Sequence, residues 1–359
     1  MFPNAIFQPF AFPKIMPVSF LLVLSLTYCQ KEAAEIDENP ANTPVEPDVI
    51  TEKTLHDSDD PAIWINKENP AKSIIFGTDK NFDGAVYAFD LEGKIIEEKT
   101  IRDLSRPNNI DVEYDFQINE TTFIDILAIT EREKKQIRLF SVPDMLPLDN
   151  GGLPVFEDEE NPAFQYPMGI SLYSSPLDQT LYVIVSRKDG PQEGYLYQYK
   201  VIAVNETTAE LQFSRKFGNY SGKKEIEAIA VDDQLGYIYY SDETFGIRKY
   251  HAEPSQGNEE VALFGRDNFK EDHEGIAIAT YENGEGYLII SNQQEGTFNI
   301  FTRKTNDFVK EIDLSTQETD GCEIVTVRLN ETFKSGIFVA MNNDRNFYFY
   351  NVDKLNLDR

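Results

Sequence analysis

The sequence predicts an all-β chain folded as a single six-bladed β-propeller, with four-stranded antiparallel blades around a central channel. Three observations carry this reading. Aromatics are plentiful (25 Phe, 18 Tyr) and β-branched residues dominate the apolar runs. Beyond the N-terminal apolar block no stretch sustains a helical period. Finally, an acid leading into an Ile/Val/Ala strand recurs at intervals of roughly 46 to 58 residues, about the length of a propeller blade.

In chain order the motif stands at Asp60 (Pro-Ala-Ile-Trp), Asp111 (Val-Glu-Tyr), Glu227 (Ala-Ile-Ala-Val), Glu274 (Gly-Ile-Ala-Ile) and Asp320 (Gly-Cys-Glu-Ile). A further copy, Met168-Gly169-Ile170-Ser171-Leu172, lacks the acid. Second strands follow at Ile74 to Thr78, Ile126 to Thr130, Tyr182 to Ser186, Tyr237 to Ser241, Tyr287 to Ser291 and Gly336 to Ala340. Aromatic third strands are read at Val86 to Phe89, Ile137 to Phe140, Tyr195 to Tyr199 and Phe298 to Phe301. These units fill residues 51–359, which leaves no room for a second domain.

Antiparallel neighbours place the start of a first strand and the end of a second strand at the same rim. The second-strand ends offer Lys80, Arg132, Lys188, Glu243, Gln293 and Asn342. The first-strand starts offer Asp59 and Asp60, Asp111, Glu227, Asp272 and Glu274, and Asp320. One rim is therefore expected to carry a half-ring of cations beside a crowd of carboxylates. Such acids repel one another unless a cation lies between them, and oxygen ligands without a Cys or His cluster favour calcium over zinc. The stretch Asp57 to Ile65 is the clearest case: Pro61 suits the first position of a strand and holds Asp59 and Asp60 at its mouth.

A net charge of −29 and a pI near 4.4 exclude nucleic acid and anionic membrane surfaces as partners. A polyanionic substrate is compatible only if bound metal inverts the local field. Met16 to Tyr28 is too short an apolar block to span a bilayer. It ends in Leu26-Thr27-Tyr28-Cys29, read as a lipoprotein-type cleavage site closing a leader of residues 1–29, with an acidic Pro-rich tether over 30–50. The expected product is exported from a bacterium and lipid-anchored at Cys29, with plain secretion or an uncleaved anchor as the alternatives. Only Cys322 remains after cleavage, so no disulfide framework is available.

The chain resembles the β-propeller phytases, the alkaline calcium-dependent 3-phytases, from about Asp57 to Leu355. The resemblance rests on Asp59-Asp60-Pro61-Ala62-Ile63-Trp64, Asn108-Asn109-Ile110-Asp111 with Tyr114-Asp115-Phe116, Gly169-Ile170-Ser171-Leu172-Tyr173, Asp272-His273-Glu274-Gly275, Thr319-Asp320-Gly321 and Gly336-Ile337-Phe338-Val339-Ala340. It implies several calcium ions at the channel mouth and myo-inositol hexakisphosphate as substrate, taken as its calcium complex. A monomer is expected. By match to the family's motifs, Asp59, Glu227, Glu243, Asp272, Glu274 and Asp320 would hold calcium, with Asp60 a nearby ligand and Asp111 a ligand or supporting acid. Lys80, Arg132 and Lys188 would grip phosphate oxygens. Asp59 and Glu227, with Lys80 and Arg132, would carry catalysis through metal-activated attack of water and no phospho-enzyme.

Four departures from the family pattern stand out. Asn81 replaces a second lysine, Met168 a tyrosine and Asn342 an acid, and Leu314 stands where an acid is expected. Fewer phosphate contacts imply weaker substrate binding or a shifted preference among inositol phosphates.

Cys322 and Arg328 have the C-x5-R spacing of cysteine phosphatases, but Glu-Ile-Val-Thr-Val between them is a strand former and not an anion cradle. His56, His251 and His273 are scattered, and Asp232-Asp233 is read as serving the turn at Gly236. Two rival functions remain open. One is a non-catalytic calcium-dependent binding module; the other is a different propeller hydrolase such as a lactonase, which would have little use for three cations on the rim.

Overall fold

The computed structural model describes residues 43–358, folded as six four-stranded antiparallel sheets. The leader and Cys29 lie outside the described residues. Blade one comprises β2 (Ser58–Trp64), β3 (Ile74–Asp79), β4 (Gly84–Phe89) and β5 (Ile101–Leu104), after the short β1 (Val49–Ile50). Blade two is β6 (Pro107–Gln117), β7 (Phe123–Glu131), β8 (Gln136–Val142) and β9 (Leu153–Pro154). Blade three is β10 (Pro167–Ser174), β11 (Leu181–Arg187), β12 (Glu193–Asn205) and β13 (Thr208–Asn219). Blade four is β14 (Ile229–Asp232), β15 (Tyr237–Asp242), β16 (Gly246–His251) and β17 (Glu260–Phe264). Blade five is β18 (Ile276–Thr280), β19 (Gly286–Asn292), β20 (Thr297–Thr302) and β21 (Phe308–Asp313). Blade six has β22 (Cys322–Val325), β23 (Ile337–Asn342) and β24 (Asn346–Asn351) from the C-terminal end.

Blade six takes its outer strand from the other end of the propeller. Val49 pairs with Phe349 and Ile50 with Tyr348, so β1 completes the sheet β22-β23-β24. Val49 and Ile50, assigned to the tether by sequence, thus belong to the propeller and close its ring. Antiparallel pairing joins first and second strands in every blade at the positions expected from the sequence. Third strands fall as expected in blades one, two, three and five, and β16 and β24 supply those of blades four and six.

Blades pack face to face through side chains that alternate along each strand. Between blades one and two, Trp64, Phe76, Val86, Leu127 and Phe140 form one such layer. The indole N–H of Trp64 donates to Asp125 at 2.7 Å, which satisfies its one polar atom. Similar layers separate the other neighbours, so each inner strand is held from both sides and its first residues are fixed around the channel.

Candidate metal centre and phosphate-binding rim

Strand register assigns the rim residues. Pro61, Ile110, Ile170, Ile229, Ile276 and Cys322 occupy equivalent pairing positions with Gly77, Ile129, Val185, Tyr240, Ile290 and Ala340. Two residues before them stand Asp59, Asn108, Met168, Glu227, Glu274 and Asp320, the inner ring. Three residues after their partners stand Lys80, Arg132, Lys188, Glu243, Gln293 and Asn343. In each of these six the backbone N–H donates to a carbonyl of the loop entering its own blade: Asp57, Arg106, Tyr166, Glu225, Asp272 and Gln317 respectively. The blade-six rim residue is therefore Asn343. Asn342 is buried one position earlier, accepting from Gln317 N at 3.0 Å and donating to Asn346 at 3.0 Å.

The inner ring is aimed by a recurrent irregularity. Register shifts fall at Ser58/Pro61, Pro107/Ile110 and Pro167/Ile170, and such bulges redirect side chains at a strand mouth. The N–H groups freed by the bulges find hydroxyls on the second strands. Thr78 Oγ1 accepts from Asp60 N (2.9 Å), Thr130 Oγ1 from Asn109 N (3.1 Å) and Ser186 Oγ from Gly169 N (2.8 Å). Thr130 and Ser186 also donate to the next blade, at Met168 O (2.7 Å) and Ile226 O (2.6 Å). Gly169 is required by close approach: a Cβ there would lie 1.8 Å from the Glu227 carbonyl oxygen.

The acids gather at one rim, with two exceptions and one addition, Glu225. Glu243, Asp272 and Glu274 each offer an oxygen within 4.8 Å of the others, and so do Glu225, Glu227 and Glu243. Glu243 links the two triads. It is fully buried, and neither of its carboxylate oxygens accepts a hydrogen bond. Asp59 and Asp320 join through Lys80, whose Nζ lies 2.5 and 3.3 Å from them. Gln293 Nε2 bridges Glu274 (2.7 Å) and Asp320 (2.6 Å).

Burial pushes Asp59 up to about 7, with Lys80 opposing the rise and Asp320 adding to it. Burial also raises Glu243 to about 9 and Glu274 to about 11, and Glu227 repels both. Carboxyls so placed resist ionisation until a cation joins them, and an oxygen-only donor set suits a hard divalent ion. The residues present fit calcium.

The exceptions are Asp111 and Asp60. Asp111 lies beyond Ile110, inside the channel and off the rim, where it accepts from Ser171 Oγ (2.9 Å) and Leu172 N (2.7 Å) of blade three. Burial raises it to about 6. Asp60 also turns inward, accepting from Ile110 N at 3.1 Å. Both line a channel cavity of about 840 Å³ below the ring. The blade-two rim residue is Asn108, not the acid three residues on that the sequence pattern points to.

The cations occupy the expected side. Arg132 is buried with its guanidinium against the Met168 sulfur, and Lys188 pairs with Glu225. Lys224, which no sequence motif marks, pairs with Asp272. His273 is buried between two acids on the chain, its ring 4.5 Å from Phe269, and burial lowers it to about 4. Leu314 is fully buried in a core layer. Cys322 is a buried strand residue, while Arg328 is exposed and pairs with Glu331. Asp232 serves the turn, accepting from Leu235 N at 3.0 Å, and also clamps the buried Arg303 at 2.6 Å.

Fold and rim together define a six-bladed propeller with an oxygen-only acid cluster facing an arc of cations. A family model described as Phytase matches residues 14–352, and the chain belongs to the phytase family. It is 28% identical over 354 residues to a 3-phytase of Bacillus subtilis (strain 168), covering 92% of this chain and 87% of that one. Among solved structures, the WD40 β-propeller domain of Doa1 aligns with a TM-score of 0.47 at 10% identity, over 80% of this chain and 77% of the other. That likeness is too low to add to the fold, which rests on the sheet topology itself.

Proposed function

We propose that the protein is a calcium-dependent phytase that releases phosphate from myo-inositol hexakisphosphate at this rim. The observation that supports it most is the meeting of opposites on one hydrogen-bonded ring: Lys80, Arg132 and Lys188 on three consecutive blades, and acid triads linked by Glu243 on the next two. Asp59, Glu225, Glu227, Glu243, Asp272, Glu274 and Asp320 would hold several calcium ions, with Asp60 nearby and Asp111 supporting from within the channel. Calcium bound there would neutralise phosphate charge and make a water easier to ionise.

The chain's own groups do the rest. Lys80 and Arg132 bring positive charge to the transferring phosphoryl oxygens, where charge builds in the transition state. Lys188, half exposed at the outer edge, takes a neighbouring phosphate of the same ring. Asn108 holds Asp59 and Glu227 in one geometry through a single amide. Among the described residues no helix is long and apolar enough to cross a membrane. Export and lipidation at Cys29 complete the proposal, placing this activity at a bacterial envelope.

The test is phosphate release from phytate with and without excess chelator, repeated with Glu227→Gln. Loss in both arms is expected. Undiminished turnover in either, or a phosphate trapped on a side chain, overturns the reading. Binding of phytate without turnover would favour the non-catalytic module, which Met168 packed on Arg132 would suit.

A further inference from the structure

Lys224 places an ammonium group inside one of the acid triads. Its Nζ lies 3.4 Å from Glu243 Oε2 and 3.7 Å from Glu274 Oε1, and it donates to Asp272 Oδ2. These are the three carboxylates whose oxygens lie within 4.8 Å of one another. The partners are buried, whereas the lysine side chain is 42% exposed and enters from solvent. Its backbone is fixed: Tyr220 Oη donates to Lys224 O, and Glu243 N donates to the carbonyl of Glu225. The long side chain alone is free to leave.

We propose that Lys224 is a tethered counter-ion that occupies one divalent-cation position in the ion-free protein and competes with the metal for it. The proposal rests on the calcium reading of the rim. A divalent ion on Glu243, Asp272 and Glu274 would sit within about 4 Å of the ammonium, and like charges that close repel strongly in a partly buried site. One of them must go, and the lysine has solvent to move into. Three carboxylates face the ammonium at once and compensate the part of it that is buried. The same residue relieves repulsion among the acids when no metal is present. It therefore supports the ion-free fold and weakens the ion's apparent affinity at the same time.

The experiment compares full-length protein with Lys224→Met and, as a control, Lys223→Met, whose Nζ is directed to Thr244 O at 3.1 Å and away from the triad. Calcium binding is followed by titration calorimetry and thermal midpoints are read in chelator and in excess calcium. In Lys224→Met the site is expected to bind calcium about 10-fold more tightly. Its midpoint falls in chelator, and the gain on adding calcium exceeds that of the parent and of the control. A lysine that merely packed would give weaker or unchanged calcium binding on removal, and that result overturns the proposal while leaving the calcium reading intact. A parent protein that binds no calcium overturns the calcium reading itself.

Discussion

Asn108 joins Asp59 to Glu227: its Nδ2 lies 3.2 Å from Asp59 Oδ2 and 3.3 Å from Glu227 Oε1. One neutral amide thus ties blades one, two and four together, although its partners lie 49 and 119 residues away in the chain. Its Oδ1 is buried and accepts no hydrogen bond, so the group is held for its donor side. Replacing Asn108 with Leu keeps the volume and removes the donor between two acids. Phytate kcat/KM is expected to fall about 10- to 100-fold, with the circular dichroism unchanged. Unchanged kinetics would show that the two acids keep their positions without it.

The collar of second-strand hydroxyls makes a stability prediction. Ser186 Oγ accepts from Gly169 N and donates to Ile226 O, both in buried surroundings. Ser186→Ala leaves a donor and an acceptor unpaired, at a cost of about 1–3 kcal/mol for each group left buried and unsatisfied. The urea midpoint should drop accordingly. Gly169→Ala should be worse, since its Cβ would collide with the backbone carbonyl of Glu227 and displace the acid itself.

These contacts mark where the sequence was readable and where it was not. First, second and third strands alternate large apolar residues in a repeating unit, so their burial imposes a visible pattern. Outer strands such as β5 (Ile-Arg-Asp-Leu) and β9 (Leu-Pro) meet solvent on one edge and need no such pattern. Closure by β1 involves two residues pairing across nearly the whole chain, and nothing local encodes that partner. Acid identity drew attention to Asp111, but the bulge at Pro107/Ile110 puts Asn108 at the rim and carries Asp111 into the channel. Thr78, Thr130 and Ser186 are legible as strand ends. Their service to the bulges emerges only once the pairing register is known. Lys224 lies three residues before Glu227, outside any strand, and only the packed loop brings it onto Asp272.

Ring closure can be tested by a chain that begins at Glu52. Removing β1 strips blade six of its outer strand and exposes the edge of β24, where Asp48 N donates to Phe349 O at 2.8 Å and Thr51 N to Phe347 O at 3.0 Å. Thermal unfolding should shift down by several degrees and lose cooperativity, as seen by calorimetry. A midpoint equal to that of the parent would show that the ring closes without the strand.

Ion-free protein should respond to pH in an unusual direction. Asp59 and Glu243 rise from ordinary carboxyl values to about 7 and about 9, chiefly through burial. Between the ordinary value and the raised one, the folded chain holds protons that the unfolded chain has already released. Raising pH through roughly 4 to 9 therefore withdraws stability. In chelator the thermal midpoint should fall steadily from pH 5 to pH 9. Calcium should flatten or reverse that slope, because it binds the ionised acids and gains most where protons no longer compete. A chelated protein whose midpoint rises over this range would contradict the burial of the acid cluster.

Lys80 and Lys188 occupy equivalent rim positions and should nevertheless fail in different ways. Lys80 is 16% exposed and sits between Asp59 and Asp320, with Asp59 almost wholly buried. Burial opposes its charge, yet Asp59, Glu227 and Asp320 overcome that and hold it well above the usual lysine range. Lys80→Met leaves buried acids without their counter-ion, a change that costs about 3–5 kcal/mol when a buried pair is broken. The chelated protein should lose stability, and kcat should fall with kcat/KM. Lys188 is 48% exposed and holds only Glu225, so its pair contributes little to folding. Lys188→Met should leave the thermal midpoint within a degree or so and raise KM for phytate several-fold at nearly constant kcat, the signature of binding lost equally from ground and transition states. If Lys188→Met instead lowered kcat and spared KM, the outer lysine would be acting on the reacting phosphate, and the division of labour along the cation arc would have to be reversed.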